Sequence, residues 1–246
     1  MKGSQGWIRM AEGVLLAVMV CSAVALGLNL WEYHQGRTSY KELKQELTAS
    51  QSQSEQPQPW QPDFETLQEK SPETIAWIQM DGLSVDYPIL HRPKDNGYYL
   101  THLWDGTENK SGSIFLDGNN TSLEDLHTLV YGHNMRDGSM FAGLKQYLDS
   151  QFFTSYQGWM TLYTPQGAWR YQIFSVQIVE SDSEVYSTAF EPGDSYAEFV
   201  NWLKASSTYN TGVDVSPQDQ VLTLSTCTND GLQRIVVHAR RAQALN

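Results

Sequence analysis

The chain has 246 residues, of which 40% are hydrophobic and 12% aromatic, and a formal net charge of −12. The first 62 residues carry equal numbers of acidic and basic side chains, so the whole charge lies in residues 63–246. An acidic segment without a basic stripe is a poor candidate for nucleic-acid binding. The length of this segment suits one domain with a sizeable core.

The amino terminus contains a nearly unbroken apolar run from Val14 to Trp31, long enough to cross a bilayer. Lys2 and Arg9 precede it, so the positive-inside rule predicts a cytoplasmic segment at 1–13 and an extracellular remainder. A cleaved signal peptide is the alternative, because residues 23–25 resemble a cleavage site. Apolar residues continue beyond that point, which favours an uncleaved signal-anchor at 14–31. The chain is therefore expected in the cell membrane as a single-pass protein.

Residues 32–62 are expected to form an extracytoplasmic linker. The segment Tyr40 to Leu47 favours a short polar helix, whereas Thr48 to Pro62 is rich in Gln, Ser and Pro. Such a composition cannot bury enough apolar surface to fold. The sequence thus predicts a tether that holds the domain at 63–246 off the membrane.

The domain itself shows mostly strand patterns. A helical stretch is predicted from Glu65 to Gln79, broken at Pro72, and a short helix from Met140 to Leu148. Ser195 to Ser206 has the apolar spacing of an amphipathic helix. Many short strands with few helices indicate a mainly β fold, a closed mixed β-barrel with peripheral helices. The predicted strands are Val85 to Leu90, Ser113 to Leu116, Thr128 to Tyr131, Trp159 to Tyr163, Trp169 to Ile178, Val221 to Thr226 and Arg234 to Ala239.

The last two strands form a predicted hairpin around the turn residues 229–231. A hairpin centred there places Cys227 opposite Arg234, and Ser225 opposite Val236. Cys227 is the only cysteine outside the apolar amino-terminal run, so it has no disulfide partner within the domain. A nearby cation favours a reactive thiolate and can stabilise an oxyanion. The alternative is a buried structural cysteine beside a solvated arginine.

His133 is the best candidate for a catalytic base. It follows the short apolar strand ending at Tyr131 and opens a loop, and catalytic groups often lie on loops held by a rigid scaffold. His238 is predicted to pack within its strand. Surface positions are predicted for the others, which are His34, His91, His102 and His127. No His, Cys, Asp or Glu spacing suggests a metal site.

These residues together carry a family resemblance. The segments TLSTC, RIVVHAR and YGHNM resemble the active-site motifs of the sortases, the membrane-anchored cysteine transpeptidases of Gram-positive bacteria. Three further segments are similar to class B sortases: Glu73 to His91, Asn96 to Gly106 and Ser111 to Asn120. The resemblance covers nearly all of residues 63–246 and implies a sortase-like barrel.

The resemblance implies that His133, Cys227 and Arg234 are the catalytic residues, without a metal or other cofactor. It implies that the helix at 195–206 forms one wall of a substrate groove. The alternatives for the groove residues are a core position for Leu100 and the tyrosines, and a simple turn at Asn96. The implied groove residues are Asn96, Leu100, Tyr131, Tyr186 and Ser225.

A sortase would cleave a carboxyl-terminal sorting motif of secreted proteins through a cysteine thioacyl intermediate. It would then join the acyl group to an amine acceptor, either a peptidoglycan precursor or a pilin lysine. Two other classes stay open. A hydrolytic cysteine peptidase would use the same residues with water as acceptor, and a non-catalytic surface-binding module would carry an incidental cysteine.

Overall fold

The computed structural model describes residues 3–51 and 60–245, so Lys2 and residues 52–59 of the predicted linker lie outside the described residues. The helices are α1 (Gly3–Gln51), α2 (Phe64–Lys70), α3 (Ser150–Tyr156) and α4 (Asp194–Ala205), with 3-10 helices at Tyr98–Leu100, Ala142–Leu148 and Glu184–Tyr186. The strands are β1 (Thr74–Met80), β2 (Asp86–His91), β3 (Ile114–Leu116), β4 (His127–Tyr131), β5 (Trp159–Thr164), β6 (Gly167–Val179), β7 (Val221–Cys227) and β8 (Arg234–Leu245).

The eight strands close into one barrel, in the order β1-β2-β3-β4-β7-β8-β6-β5. Two pairings are parallel, β2 with β3 and β4 with β7, and the others are antiparallel. Side chains from all of these strands fill the interior, among them Ile78, Ile114 and Leu224. The predicted closed mixed barrel with few helices is confirmed.

The prediction for residues 65–79 was wrong in its second half. The helix ends at Lys70, before Pro72, and Thr74–Met80 forms β1 instead. This strand pairs with both β2 and β5, and its Trp77 and Ile78 side chains are fully buried. β-branched and aromatic residues favour a pleated, buried surface, which here decides the structure. The predicted helix after the His133 loop is present as a 3-10 helix, and α3 was not predicted.

The amino-terminal helix α1 is continuous through the apolar run and the following polar segment. Among the described residues, Met10–Thr48 is the one helical segment long and apolar enough to cross a bilayer. Its apolar stretch is fully exposed, which is consistent with a membrane anchor.

The second half of α1 differs from the predicted linker because it packs against the barrel. Tyr40, Leu43 and Leu47 lie on one helical face and are buried. The two leucines join Leu67 and Trp77 in a small core cluster. Burial of one leucine side chain contributes about 2 kcal/mol, so this apolar stripe is sufficient to dock the helix. The local sequence did not reveal this stripe, because the residues that it packs against come from distant segments of the chain.

Two buried histidines share one hydroxyl inside the barrel. His127, predicted at the surface, is instead the first residue of β4 and is fully buried, as is His238. His127 Nδ1 donates to the Ser187 carbonyl (2.7 Å), and Nε2 lies 2.7 Å from Thr223 Oγ1. His238 Nδ1 lies 2.8 Å from the same hydroxyl. If both rings are neutral, His238 donates to Thr223, whose hydroxyl donates to His127.

Acidification should destabilise the barrel through these histidines. Burial lowers the pKa of His127 from its ordinary 6.5 to about 4, and burial lowers that of His238 as well. The unfolded chain therefore takes up protons first. The stability that depends on keeping these histidines neutral is fully present above pH 6.5 and is lost progressively as the pH drops toward 4. We expect His127 alone to reduce the free energy of unfolding by about 2 kcal/mol at pH 5.

The measurement is urea unfolding of the full chain in detergent micelles, followed by tryptophan fluorescence at pH 7.5 and pH 5. His127→Gln should show a weaker pH dependence than the wild type. His34→Gln, at an exposed position of α1, is the matched control and should leave the pH dependence unchanged. An identical pH dependence in His127→Gln and wild type would contradict the assignment.

Candidate active site

Cys227 lies at the end of β7 and faces the first residue of β8. The register pairs Cys227 with Arg234 and Ser225 with Val236, as the hairpin pattern predicted. The connecting turn is held by the Thr228 N–H, which donates to the Gln233 carbonyl (2.9 Å). Cys227 is a free thiol and is partly exposed rather than buried.

The parallel pairing of β4 with β7 brings His133 to the same edge of the barrel. Tyr131 is in register with Ser225, and the Gly132 N–H donates to the Ser225 carbonyl (3.2 Å). His133 and Cys227 each lie two residues beyond that register pair. Because parallel strands end at a common edge, the imidazole and the thiol belong to one site.

One cleft contains most of the predicted site. Its volume is about 440 Å³, and it is open to solvent at the carboxyl ends of β4 and β7. His133, Cys227 and Arg234 all line it. The remaining lining residues are Asn96, Leu100, Phe115, Tyr131, Gly132, Ser225 and Thr226.

Tyr186 lies just behind the cleft rather than in its lining. Its hydroxyl is 3.0 Å from Ser225 Oγ, and its ring is stacked on that of Tyr131 with centroids 6.2 Å apart. Burial raises the pKa of the Tyr186 hydroxyl, so this group remains neutral. The five predicted groove residues therefore lie in the cleft or directly against it. Leu100 is exposed, so it is not a core residue.

Helix α4 does not form a wall of this cleft. None of its residues is among those that line the site. Its Tyr196 hydroxyl bonds the carbonyls of Leu126 and Asp219, each at 2.7 Å. Leu126 and Asp219 lie just before β4 and β7, at the ends of these strands opposite to His133 and Cys227. The prediction that α4 forms a wall of the cleft was therefore wrong.

The imidazole of His133 is held by the 3-10 helix at Tyr98–Leu100. Nε2 lies 2.7 Å from the Leu100 carbonyl oxygen, which can only accept, so Nε2 carries the hydrogen. The neutral ring then has its lone pair on Nδ1. His133 can take up a proton at that atom and release it again, which suits an acid–base catalyst.

The guanidinium of Arg234 is anchored at one end. Its Nη1 donates to the carbonyls of Gly231 (3.2 Å) and Gln233 (3.0 Å), both in the hairpin turn. These bonds use Nη1 and orient the planar group, whose other nitrogens carry further donors. The arrangement can present a fixed, permanently charged fork to a substrate carbonyl.

Asp117, which sequence reasoning missed, organises the polar side of the cleft. This buried carboxylate accepts from Tyr131 Oη (2.7 Å) and from Asn96 Nδ2 (3.0 Å) on Oδ2. Asn96 Oδ1 in turn accepts from the Gly118 N–H at 2.6 Å. Asn96 is therefore held on both sides of its amide and is more than a turn residue.

The network also keeps the Tyr131 hydroxyl neutral. Burial, and next the nearby charge of Asp117, raise its pKa well above the ordinary value. A sequence signal for Asp117 did exist, since it directly follows the predicted strand ending at Leu116. A polar residue at the end of a buried strand is a common place for a functional group.

Metal ligands do not cluster in the described part of the chain. Within residues 3–51 and 60–245, no group of three His, Cys, Asp or Glu side chains could hold a metal ion. The side chains in the cleft offer a nucleophile, an acid–base group and a cation.

Comparison with known proteins agrees with this geometry. The model of the Sortase domain family matches residues 78–242. Sortase B of Listeria monocytogenes is 33% identical over 220 residues, which cover 87% of each chain. The structure of a Staphylococcus aureus sortase B-substrate complex is 29% identical with a TM-score of 0.77, covering 87% of this chain and 99% of the other.

A third relative is also similar to this chain in sequence and in structure. The structure of Clostridium perfringens sortase B is 32% identical with a TM-score of 0.69, and it covers 74% of this chain and 100% of the other. The fold, the family match and these relatives agree. The chain therefore belongs to the sortase family of enzymes and is similar to its class B members.

Proposed function

We propose that this sortase is a membrane-anchored cysteine transpeptidase in which Cys227 is the nucleophile, His133 the acid–base catalyst and Arg234 the residue that positions the substrate carbonyl. The observation that carries the proposal is the strand register. It places His133 and Cys227 two residues beyond the Tyr131–Ser225 pair and Arg234 directly opposite Cys227.

The first half-reaction transfers the acyl group of a sorting motif to the enzyme. The Cys227 thiolate attacks a backbone carbonyl carbon near the carboxyl end of a secreted protein, and a C–S bond forms. The C–N bond breaks as the leaving amine takes from Nδ1 of His133 the proton that this atom received when the Cys227 thiol ionised. The product is a thioacyl enzyme and a released carboxyl-terminal peptide.

The second half-reaction transfers this acyl group to an amine. His133 Nδ1 takes a proton from the entering amine as the amine nitrogen attacks the thioester carbon. The C–S bond breaks, and the Cys227 thiolate is restored beside a protonated His133. The proposed acceptors are a peptidoglycan precursor or a pilin lysine. A solved sortase B in complex with Gly3 supports an amine acceptor, since a glycine peptide presents a free amino group.

Arg234 acts on the carbonyl oxygen in both half-reactions. Because the turn carbonyls hold its Nη1, the remaining donors of the fork are pre-oriented before substrate binds. A preorganised donor near a developing oxyanion is more effective than a mobile one. The cation also favours the ionised form of the neighbouring thiol.

We also propose that α1 anchors the enzyme with residues 14–31 in the bilayer and residues 1–13 in the cytoplasm. The exposed apolar half of α1 supports the span, and the basic residues before it support the orientation. The catalytic domain at 63–246 would then lie outside the cell, next to secreted substrates.

Transfer to an amine should be the main reaction of the full chain in detergent micelles. We expect ligated product from one of a panel of LPxTG-like and NPxTN-like peptides when a glycine peptide or a lysine amine is added. Mass spectrometry distinguishes ligation from hydrolysis. Cleavage at an unchanged rate, with only hydrolysed product at saturating amine, would instead identify a cysteine peptidase.

Replacement of Cys227 by Ala should abolish cleavage and thioacyl trapping without unfolding the barrel, because Ala fits the space of Cys. Cys21→Ala is a matched control, since this other cysteine lies exposed on α1. We expect wild-type turnover in that control. Turnover retained in Cys227→Ala would show that Cys227 is not the nucleophile and would refute the proposed mechanism.

Replacement of Arg234 by Lys separates charge from geometry. Lysine keeps a cation near the thiol but loses the planar fork, so we expect at least about a tenfold loss of turnover, about 1.4 kcal/mol of transition-state stabilisation. Arg234→Ala should lose more. Turnover and the pH dependence of Cys227 alkylation are measured together.

The matched control for Arg234 is Arg241→Lys. Arg241 lies farther along β8 and pairs with Glu124, away from the cleft. Wild-type turnover in Arg234→Lys would refute a positioning role. Wild-type turnover in Arg234→Ala would remove this residue from the mechanism.

A further inference from the structure

The loop that begins at His133 is closed on itself. The Phe141 N–H donates to the His133 carbonyl (2.9 Å), and Asn134 forms an isolated antiparallel bridge with Met140. Met140 has a positive φ of 56°, an uncommon conformation for a residue with a side chain. The position of His133 therefore depends on how this whole loop is held.

Asp137 connects the tip of this loop to α1. Its Oδ1 accepts from the N–H (3.0 Å) and hydroxyl (2.6 Å) of Ser139, within the loop. Its Oδ2 lies 2.7 Å from Nε of Arg37 on α1, and the same guanidinium donates to the Asp137 carbonyl. One planar group thus holds both the side chain and the main chain of Asp137.

A second contact from α1 supports the other end of the loop. The Tyr40 ring packs edge-on against Tyr87, with centroids 5.1 Å apart. The Tyr87 hydroxyl accepts from the N–H of Met140 at 3.2 Å. Helix α1 therefore contacts the tip of the loop directly, through Arg37 and Asp137, and supports the end of the loop indirectly, through Tyr87.

On its opposite side the loop contacts the cysteine hairpin. Asn134 Nδ2 donates to the Cys227 carbonyl (2.8 Å) and to Asn229 Oδ1 (3.1 Å). The loop carrying His133 is thus held between α1 and the strand end that carries the nucleophile. A shift of the loop would change the His133–Cys227 geometry.

We propose that Arg37 and Asp137 are positioning residues, through which the helix of the membrane anchor holds His133 in its catalytic place. The proposal rests on the proposed catalytic role of His133. Among the side chains that the structure describes, three other ion pairs join α1 to the domain, and none of them involves the loop: Glu32 with Lys110, Lys44 with Asp86, and Glu46 with Lys70.

The alternative is that the Arg37–Asp137 pair merely attaches the helix, as the other three pairs do. Arg37 has 55% of its side chain exposed, and an ion pair of that kind contributes little to folding stability. A positioning role therefore predicts an effect on the chemical step without an effect on the melting temperature. An attachment role predicts that all four pairs behave alike.

The test uses the full chain in detergent micelles and compares Arg37→Ala, Arg37→Lys and Asp137→Asn with the control Lys110→Ala. We expect kcat for peptide cleavage to fall about tenfold in Arg37→Ala, with KM changed less than twofold. Arg37→Lys keeps one contact and should recover part of the loss. Lys110→Ala should match the wild type in kcat, KM and melting temperature.

Two further measurements distinguish an effect on the His133 loop from a general destabilisation of the fold. Hydrogen exchange of the amides at 134–141 should accelerate in Arg37→Ala, while the amides of β7 keep their protection. Asp137→Asn retains the contacts to Ser139 and the bond from Arg37 to the Asp137 carbonyl but weakens the ion pair, so its loss should be smaller than that of Arg37→Ala. The double variant should lose no more than Arg37→Ala alone, because removal of Arg37 already removes both contacts.

The proposal is overturned by a wild-type kcat in Arg37→Ala, by equal losses in Arg37→Ala and Lys110→Ala, or by a loss that accompanies a lower melting temperature. His133→Ala is measured in the same preparation. Activity retained there refutes the proposed function itself. An inactive His133→Ala beside a fully active Arg37→Ala refutes only the positioning role.

Discussion

The active site depends on one structural constraint, the parallel pairing of β4 with β7. Parallel strands are joined by long connections and end at a common edge, so groups distant in sequence can meet there. Here Asn134, just beyond β4, bonds the carbonyl of Cys227 at the end of β7, although 93 positions separate the two residues in the chain. The antiparallel hairpin of β7 and β8 then adds Arg234 from the other side. The Cys227 thiol, the His133 imidazole and the Arg234 guanidinium thus lie on, or just beyond, three adjacent strands of one closed sheet, which limits their relative movement.

Local patterns in the sequence were sufficient for much of this site. The turn at 229–231 and the alternation on both sides determine the hairpin register, so the Cys227–Arg234 pair was predictable without any structure. The short strand before His133 was predictable for the same reason. What could not be predicted was decided by distant partners. β1 is a strand because β2 and β5 flank it, His127 is buried because Thr223 and Ser187 satisfy its ring, and α1 packs because Leu67 and Trp77 receive its leucines.

Asp117 is a residue of the site whose role also depends on partners that are distant in the sequence. Its residue type and place after a strand were visible, but its role arises from Tyr131 and Asn96, which lie 14 and 21 residues away in the chain. Burying one carboxylate requires compensating hydrogen bonds, and these two donors provide them. In return the carboxylate orients both side chains along the cleft. Asn96 and Tyr131 are therefore joined through Asp117, and Tyr131 stacks on Tyr186, whose hydroxyl lies 3.0 Å from Ser225 Oγ. Four of the five groove residues are thus connected, and the exposed Leu100 stands apart from them.

The docking of α1 bears on the proposed membrane anchor. A flexible tether would leave the domain free to rotate relative to the apolar half of α1, whereas a continuous helix with a buried stripe fixes the barrel against that helix. Lys110 contacts Asn29 and Glu32, so the loop carrying it lies beside the end of the apolar run. The same helix reaches the His133 loop through Arg37. The apolar half of α1 and the His133 loop are consequently joined through one helix, by the contacts of Arg37 with Asp137 and of Tyr40 with Tyr87. If the apolar half spans the bilayer as proposed, the orientation of the domain at the membrane and the position of His133 depend on the same helix.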